Sequence, residues 1–150
     1  MAEIGKDIAK AKSFLEQSQL VGIPTETVYG LAGNALDSES VALIFETKNR
    51  PAFDPLILHT SSLERVEDFV TSFPEKLRIL AENFWPGPLT LLLPRKPIVP
   101  DLVNSGLDRV AVRAQAQRSL PRDPAAYGPG GPVQPRQDHR SAEDGRRFPV

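Results

Sequence analysis

Ile23-Pro24-Thr25-Glu26-Thr27-Val28-Tyr29-Gly30-Leu31-Ala32-Gly33 is the stretch on which the fold turns. The apolar run 20–23 enters a proline, which has no N–H to give a central ladder, so a strand should stop there. A loop then presents Thr25, Glu26 and Thr27 together, with Tyr29 behind them. Gly30 and Gly33 permit close backbone approach. Outward from this stretch, an amphipathic segment leads to Lys48-Asn49-Arg50-Pro51. Hydroxyls on one side of a helix and two cations on the other suit a small anionic substrate, phosphate first.

Composition sets the outer limits. A chain of 150 residues, 40% hydrophobic, can build one domain with its own core. Its net charge of −1 supplies no global field toward nucleic acid or an anionic membrane, so any basic site is local. Without cysteine there are no disulfides, thiolate metal sites or cysteine nucleophiles. The two histidines lie far apart in sequence, which argues against a histidine-based zinc site, and no metal site is expected. Neither a secretory h-region nor a membrane-length apolar run is visible, so a cytoplasmic chain with no membrane partner is expected.

Along the chain, Ile4, Ile8, Ala11 and Leu15 make one helical stripe, and residues 20–23 a short buried strand. Asp37 or Ser38 caps a helix bearing Val41, Ile44 and Phe45, which Pro51 should stop. Residues 56–59 read as a second strand, and Pro74 opens a helix with Leu77, Leu80, Ala81 and Phe84. Trp85-Pro86-Gly87-Pro88 ends that helix; residues 89–93 and 110–112 are the third and fourth strands. Strands alternating with helices predict an α/β domain with a mixed or parallel sheet. After Arg113 the character changes. Every lysine precedes that point, Lys96 being the last, whereas half of the arginines follow it. Residues 114–150 hold few large apolar side chains and no period, so they are expected to be disordered or poorly packed, leaving 1–113 as the domain.

Each candidate residue has a plain structural reading. Cations at a helix end favour the negative pole of its dipole. Thr25 and Thr27 can close a turn, Asp54 can begin an Asx turn before Pro55, and His59 can be a satisfied strand-end residue. The common nucleotide fingerprints, catalytic triads and paired carboxylates are absent. The residues alone therefore support a pocket for a small anion.

Five stretches go further: the run 24–31, Lys48-Asn49-Arg50-Pro51, Asp54-Pro55-Leu56-Ile57-Leu58-His59, Phe84-Trp85-Pro86-Gly87-Pro88-Leu89-Thr90 and Val110-Ala111-Val112-Arg113. In order and spacing they resemble the YrdC-like family of threonylcarbamoyl-AMP synthases. That resemblance implies a twisted mixed α/β sheet with helices around a concave basic cavity. It also implies condensation of L-threonine, bicarbonate and ATP, with Mg²⁺ on the phosphates, into L-threonylcarbamoyladenylate and pyrophosphate. The product serves tRNA threonylcarbamoyl-transfer machinery. By the same resemblance Thr27, His59 and Arg113 surround L-threonine. Lys48 and Arg50 neutralise the triphosphate and the charge developing during attack, and Asp54 and Arg109 line the ATP side. Asp54 stands where the family often has Asn, and Arg109 where it often has Thr; Thr25 and Tyr29 are further pocket candidates. The family's later motifs do not appear after Arg113, as a truncation or frameshift would produce; a naturally divergent tail is the competing account. Impaired synthesis is expected. The alternative function is a non-catalytic YrdC-like module that binds nucleotide or, weakly, RNA.

Overall fold

The opening stretch builds an antiparallel β-hairpin. The computed structural model describes residues 4–25 and 28–114 and the backbone of 132–135. In chain order the elements are α1 (Ile8–Glu16), β1 (Val21–Pro24), β2 (Tyr29–Asn34), α2 (Ser38–Thr47), β3 (Leu56–Thr60), α3 (Glu75–Phe84), β4 (Thr90–Pro94), β5 (Arg109–Ala114) and β6 (Pro132–Pro135). Short 3₁₀ turns at Glu64–Asp68 and Asp101–Val103 join them.

β1 does end at Pro24, and β1 is an edge strand, where a missing N–H costs least. The chain then turns back and pairs antiparallel, Val21 opposite Ala32 and Ile23 opposite Gly30. Thr25 closes this turn: its Oγ1 donates to Val28 O at 2.6 Å, and its N–H donates to the same oxygen at 3.2 Å. Gly33 allows a close approach, but to α2. A Cβ built there would lie 2.5 Å from Ser40 Oγ and 3.2 Å from Ile44 Cδ1, so only glycine lets the helix seat on β2. Ser40 Oγ in turn accepts the Asn34 N–H at 2.9 Å.

Capping fixes the helices. Asp7 accepts from the Lys10 N–H at 3.1 Å and starts α1. Ile4 therefore precedes the helix and is fully exposed, although the apolar stripe had included it. Asp37 caps α2 by accepting from the Glu39 N–H at 3.1 Å. That helix ends at Thr47, before Pro51 can act. Asn49 is left-handed, with φ 48°, while Arg50 N–H donates to Phe45 O and Asn49 N–H to Glu46 O. This pair of bonds is a Schellman closure, with Asn in the place glycine usually takes.

The sheet order is β1-β2-β6-β3-β5-β4. β3 and β5 pair in parallel, and the other neighbours pair antiparallel. Among the described residues six strands replace the four expected, β2 and β6 being the additions. β6 lies between β2 and β3, Val133 facing Gly33 on one side and Leu58 on the other. The remainder of 115–150, where disorder was expected, lies outside the described residues.

Alternation gives β3, β4 and β5 two unlike faces. Leu56, Leu58, Val110, Val112, Leu91 and Leu93 point into a core with Val41, Ile44, Phe45 and Ala81 of α2 and α3. The intervening residues form the opposite face, which is more open and carries the polar side chains.

Candidate functional site

Strand register places three polar residues in one row on that open face. Arg113 of β5 is paired with His59 of parallel β3 and with Thr90 of antiparallel β4. Paired residues in a sheet project to the same side, so Thr90, Arg113 and His59 stand side by side. The next row on this face, two residues before Arg113 and His59 and two after Thr90, is apolar: Leu92, Ala111 and Ile57. His59 is 6% exposed even here, because β3 lies in the middle of the sheet. Burial, seconded by the Arg113 guanidinium, pushes its pKa from 6.5 down to about 3. The imidazole is therefore neutral, and its buried Nδ1 has no hydrogen-bond partner among the described residues. A neutral ring beside a guanidinium can hydrogen-bond a ligand while the guanidinium pairs a carboxylate.

The cations after α2 form a second group. The left-handed Asn49 separates Lys48 from Arg50 and turns the chain toward β3. Arg50 bonds Asp54 through Nη2–Oδ2 at 2.6 Å, the side chains being 11% and 27% exposed. The same nitrogen donates to Pro55 O at 3.4 Å, immediately before β3. Asp54, expected on the ATP side, is thus the partner that holds the guanidinium in place. Lys48 is exposed and makes no ion pair among the described residues; desolvation first, then the Arg50 cation, lower its pKa from 10.5. An anion seated between these two cations would relieve that repulsion.

The two groups occupy opposite ends of β3. From Pro55 to His59 is four residues, about 13 Å of extended chain. Arg109 begins β5 and is exposed; the parallel register puts it at the Pro55 end, opposite the Arg113 end. Tyr29, exposed at the start of β2, belongs to the hairpin that Thr25 closes. Thr27 lies outside the described residues. The sequence assigns Thr90 no role beyond its motif. Strand alternation through residues 89–93 is the signal that places it on the polar face, but its neighbours follow only from the register.

Among the described residues no three His, Asp or Glu side chains gather as metal ligands. No described helix is long and apolar enough to cross a membrane.

Comparison with known proteins bears on what such a face does. The Sua5/YciO/YrdC family profile, described as telomere recombination, matches residues 13–120. A Pyrococcus abyssi protein named threonylcarbamoyl-AMP synthase is 52% identical over 106 residues, 71% of this chain and 31% of that protein. A Bacillus subtilis protein of the same name is 45% identical over 107 residues, again 71% and 31%. The chain thus spans about a third of these relatives. Among solved structures, Pyrococcus abyssi Sua5 complexed with L-threonine superposes with a TM-score of 0.79 at 42% identity, covering 90% of this chain and 39% of that one. Escherichia coli YciO has a TM-score of 0.70 at 19% identity, over 85% of this chain and 61% of its own, a likeness of fold alone.

Proposed function

Because the chain belongs to the Sua5/YciO/YrdC family, we propose that it is built for L-threonylcarbamoyladenylate synthesis, from L-threonine, bicarbonate and ATP. The observation that carries this reading is the parallel register of β3 and β5, which sets a neutral buried His59 beside Arg113. Arg113 pairs the threonine carboxylate, and His59 hydrogen-bonds its polar groups without adding a competing charge. Thr27, by family likeness, joins them. At the other end of β3, Lys48 and Arg50 receive the triphosphate, with Asp54 fixing the guanidinium and Arg109 at the same end of the sheet. The 13 Å or so of strand from Pro55 to His59 is the scale of an amino acid joined end to end with a triphosphate.

The reaction asks little covalent chemistry of the protein. The threonine amine and bicarbonate give a carbamate and water. A carbamate oxygen attacks the α-phosphorus, the bond from that phosphorus to the α,β-bridging oxygen breaks, and its electron pair leaves on pyrophosphate. Orientation and neutralisation of charge are then the protein's part, which needs no nucleophilic side chain. Mg²⁺, when bound, neutralises phosphate charge. It fits as an ion carried on phosphate oxygens, since Asp54, the carboxylate in this group, is tied to Arg50. The adenylate would pass to tRNA threonylcarbamoyl-transfer machinery in the cytoplasm.

The test is pyrophosphate release by the 150-residue chain. Release should require L-threonine, bicarbonate and Mg-ATP together, at a rate below that of the Pyrococcus abyssi protein, a third of whose length is represented here. ATP binding with release indifferent to threonine and bicarbonate overturns the synthase reading in favour of a nucleotide-binding module.

A further inference from the structure

The turn between the cations and β3 carries a residue that neither fold nor anion binding requires. Ala52 and Phe53 are the central pair of a β-turn closed by the Asp54 N–H, which donates to Pro51 O at 3.1 Å. Such positions ordinarily hold small or polar residues with local hydrogen-bonding uses. The turn is held unusually firmly. Pro51 and Pro55 fix φ on either side, and the Arg50–Asp54 ion pair spans it at 2.6 Å. From the loop before β5, Ser105 Oγ donates to Ala52 O at 3.0 Å. On this mount Phe53 is 80% exposed.

A lone exposed aromatic is ordinary on a protein surface. Two observations set this one apart. Its backbone is braced by a side chain from a segment more than fifty residues away, so the ring is presented on a fixed support. It also follows Lys48 and Arg50 by five and three residues, just beyond the Schellman turn that lies between those cations. Leu107, likewise exposed, lies in the loop that Ser105 ties to the turn. An exposed aromatic ring on a braced turn, three residues beyond paired cations, suits a ligand with phosphates and a flat heteroaromatic ring. Stacking on such a face is sequence-tolerant and worth an appreciable part of nucleotide affinity.

We propose that Phe53 is the stacking platform for the base of the bound nucleotide, which rests on the Lys48–Arg50 turn being the phosphate site. The ring offers no hydrogen bond, so it recognises a base by its plane and not by its edge.

Calorimetric titration of the 150-residue chain with Mg-ATP and with inorganic tripolyphosphate separates the two parts. Phe53→Ala should raise the Kd for ATP about tenfold and leave tripolyphosphate within about twofold. Phe53→Trp should bind both ligands like the wild type, with fluorescence beyond that of Trp85 quenched by ATP and not by tripolyphosphate. An unchanged ATP affinity in Phe53→Ala, or equal losses for both ligands, overturns the platform; equal losses would make the ring a brace for the turn. If Phe53→Ala does not fold, the tryptophan variant decides, and a lack of ATP-specific quenching overturns the proposal. Lys48→Ala should weaken both ligands. If it weakens neither, or if the wild type binds neither, the phosphate reading fails and the platform with it.

Discussion

The same three strands present two faces that obey different rules. On one, Leu58, Val112 and Leu93 are completely buried and are interchangeable in kind, since burial of apolar area is all they supply. On the other, Ile57, His59, Ala111, Arg113 and Thr90 alternate with them along the chain and differ in chemistry, row by row. His59 is nearly as buried as the core residues, yet it keeps an unpartnered ring nitrogen, as judged among the described residues. A buried polar atom left so costs stability. Burial on the core face stabilises; on the open face it sets the protonation state of a side chain.

The comparison can be broken most strongly on the core side. Leu58→Ala should cost about 2–5 kcal/mol in urea denaturation, from lost transfer energy plus a cavity, whereas Ile57→Ala on the half-buried face should cost about half as much. Equal losses would mean that the faces are not energetically distinct. On the polar face the ranking should reverse. Arg113→Ala should weaken L-threonine binding by about 1.5–3 kcal/mol in calorimetry, with a small change in denaturation midpoint. It should also raise the His59 pKa, followed by NMR, because the guanidinium is one of the two causes depressing it.

The pH dependence sharpens the contrast further. His59 titrates near 6.5 when unfolded and near 3 when folded, so below 6.5 the unfolded state binds the extra proton. The stability due to neutral His59 is complete above pH 6.5. It declines by about 1.4 kcal/mol per pH unit as pH falls, levelling off below about 3. His59→Gln should remove this component from a urea series run between pH 7 and 4, and an unchanged slope would place the acid sensitivity elsewhere. Smallest is the effect at the α2 terminus. Asn49→Ala should cost about 1 kcal/mol in thermal unfolding, because φ 48° disfavours a side chain without local hydrogen bonding, and Asn49→Gly should be neutral or better.

Much of the fold was legible where a local rule had no competitor. Asp37 capped its helix, Pro74 opened another, and four apolar runs became β1, β3, β4 and β5. The misses have physical causes. β2 escaped because Tyr29-Gly30-Leu31-Ala32-Gly33-Asn34 lacks β-branched residues and holds two glycines, a poor strand by propensity that pairing with β1 nevertheless recruits. β6 escaped because its strand character comes from two neighbours distant in sequence. Helix α2 was given the wrong stop because Pro51 is the louder signal, although Asn49 acts two residues earlier.

For the candidate site, sequence alone determined the chemical inventory: two cations astride Asn49, a histidine and an arginine each near a strand end, and neither a cysteine nor a catalytic-triad motif to go with them. Those follow from residue type and spacing, which need no partner. Tertiary structure decided adjacency. His59 and Arg113 are far apart in the chain and meet only through the parallel register of β3 and β5, and Thr90 joins them only through the antiparallel register of β4. Structure also decided charge, since the depressed pKa of His59 reflects desolvation in the middle of a six-stranded sheet. Register and burial are properties of segments packed together, so neither is encoded in any one stretch of the sequence.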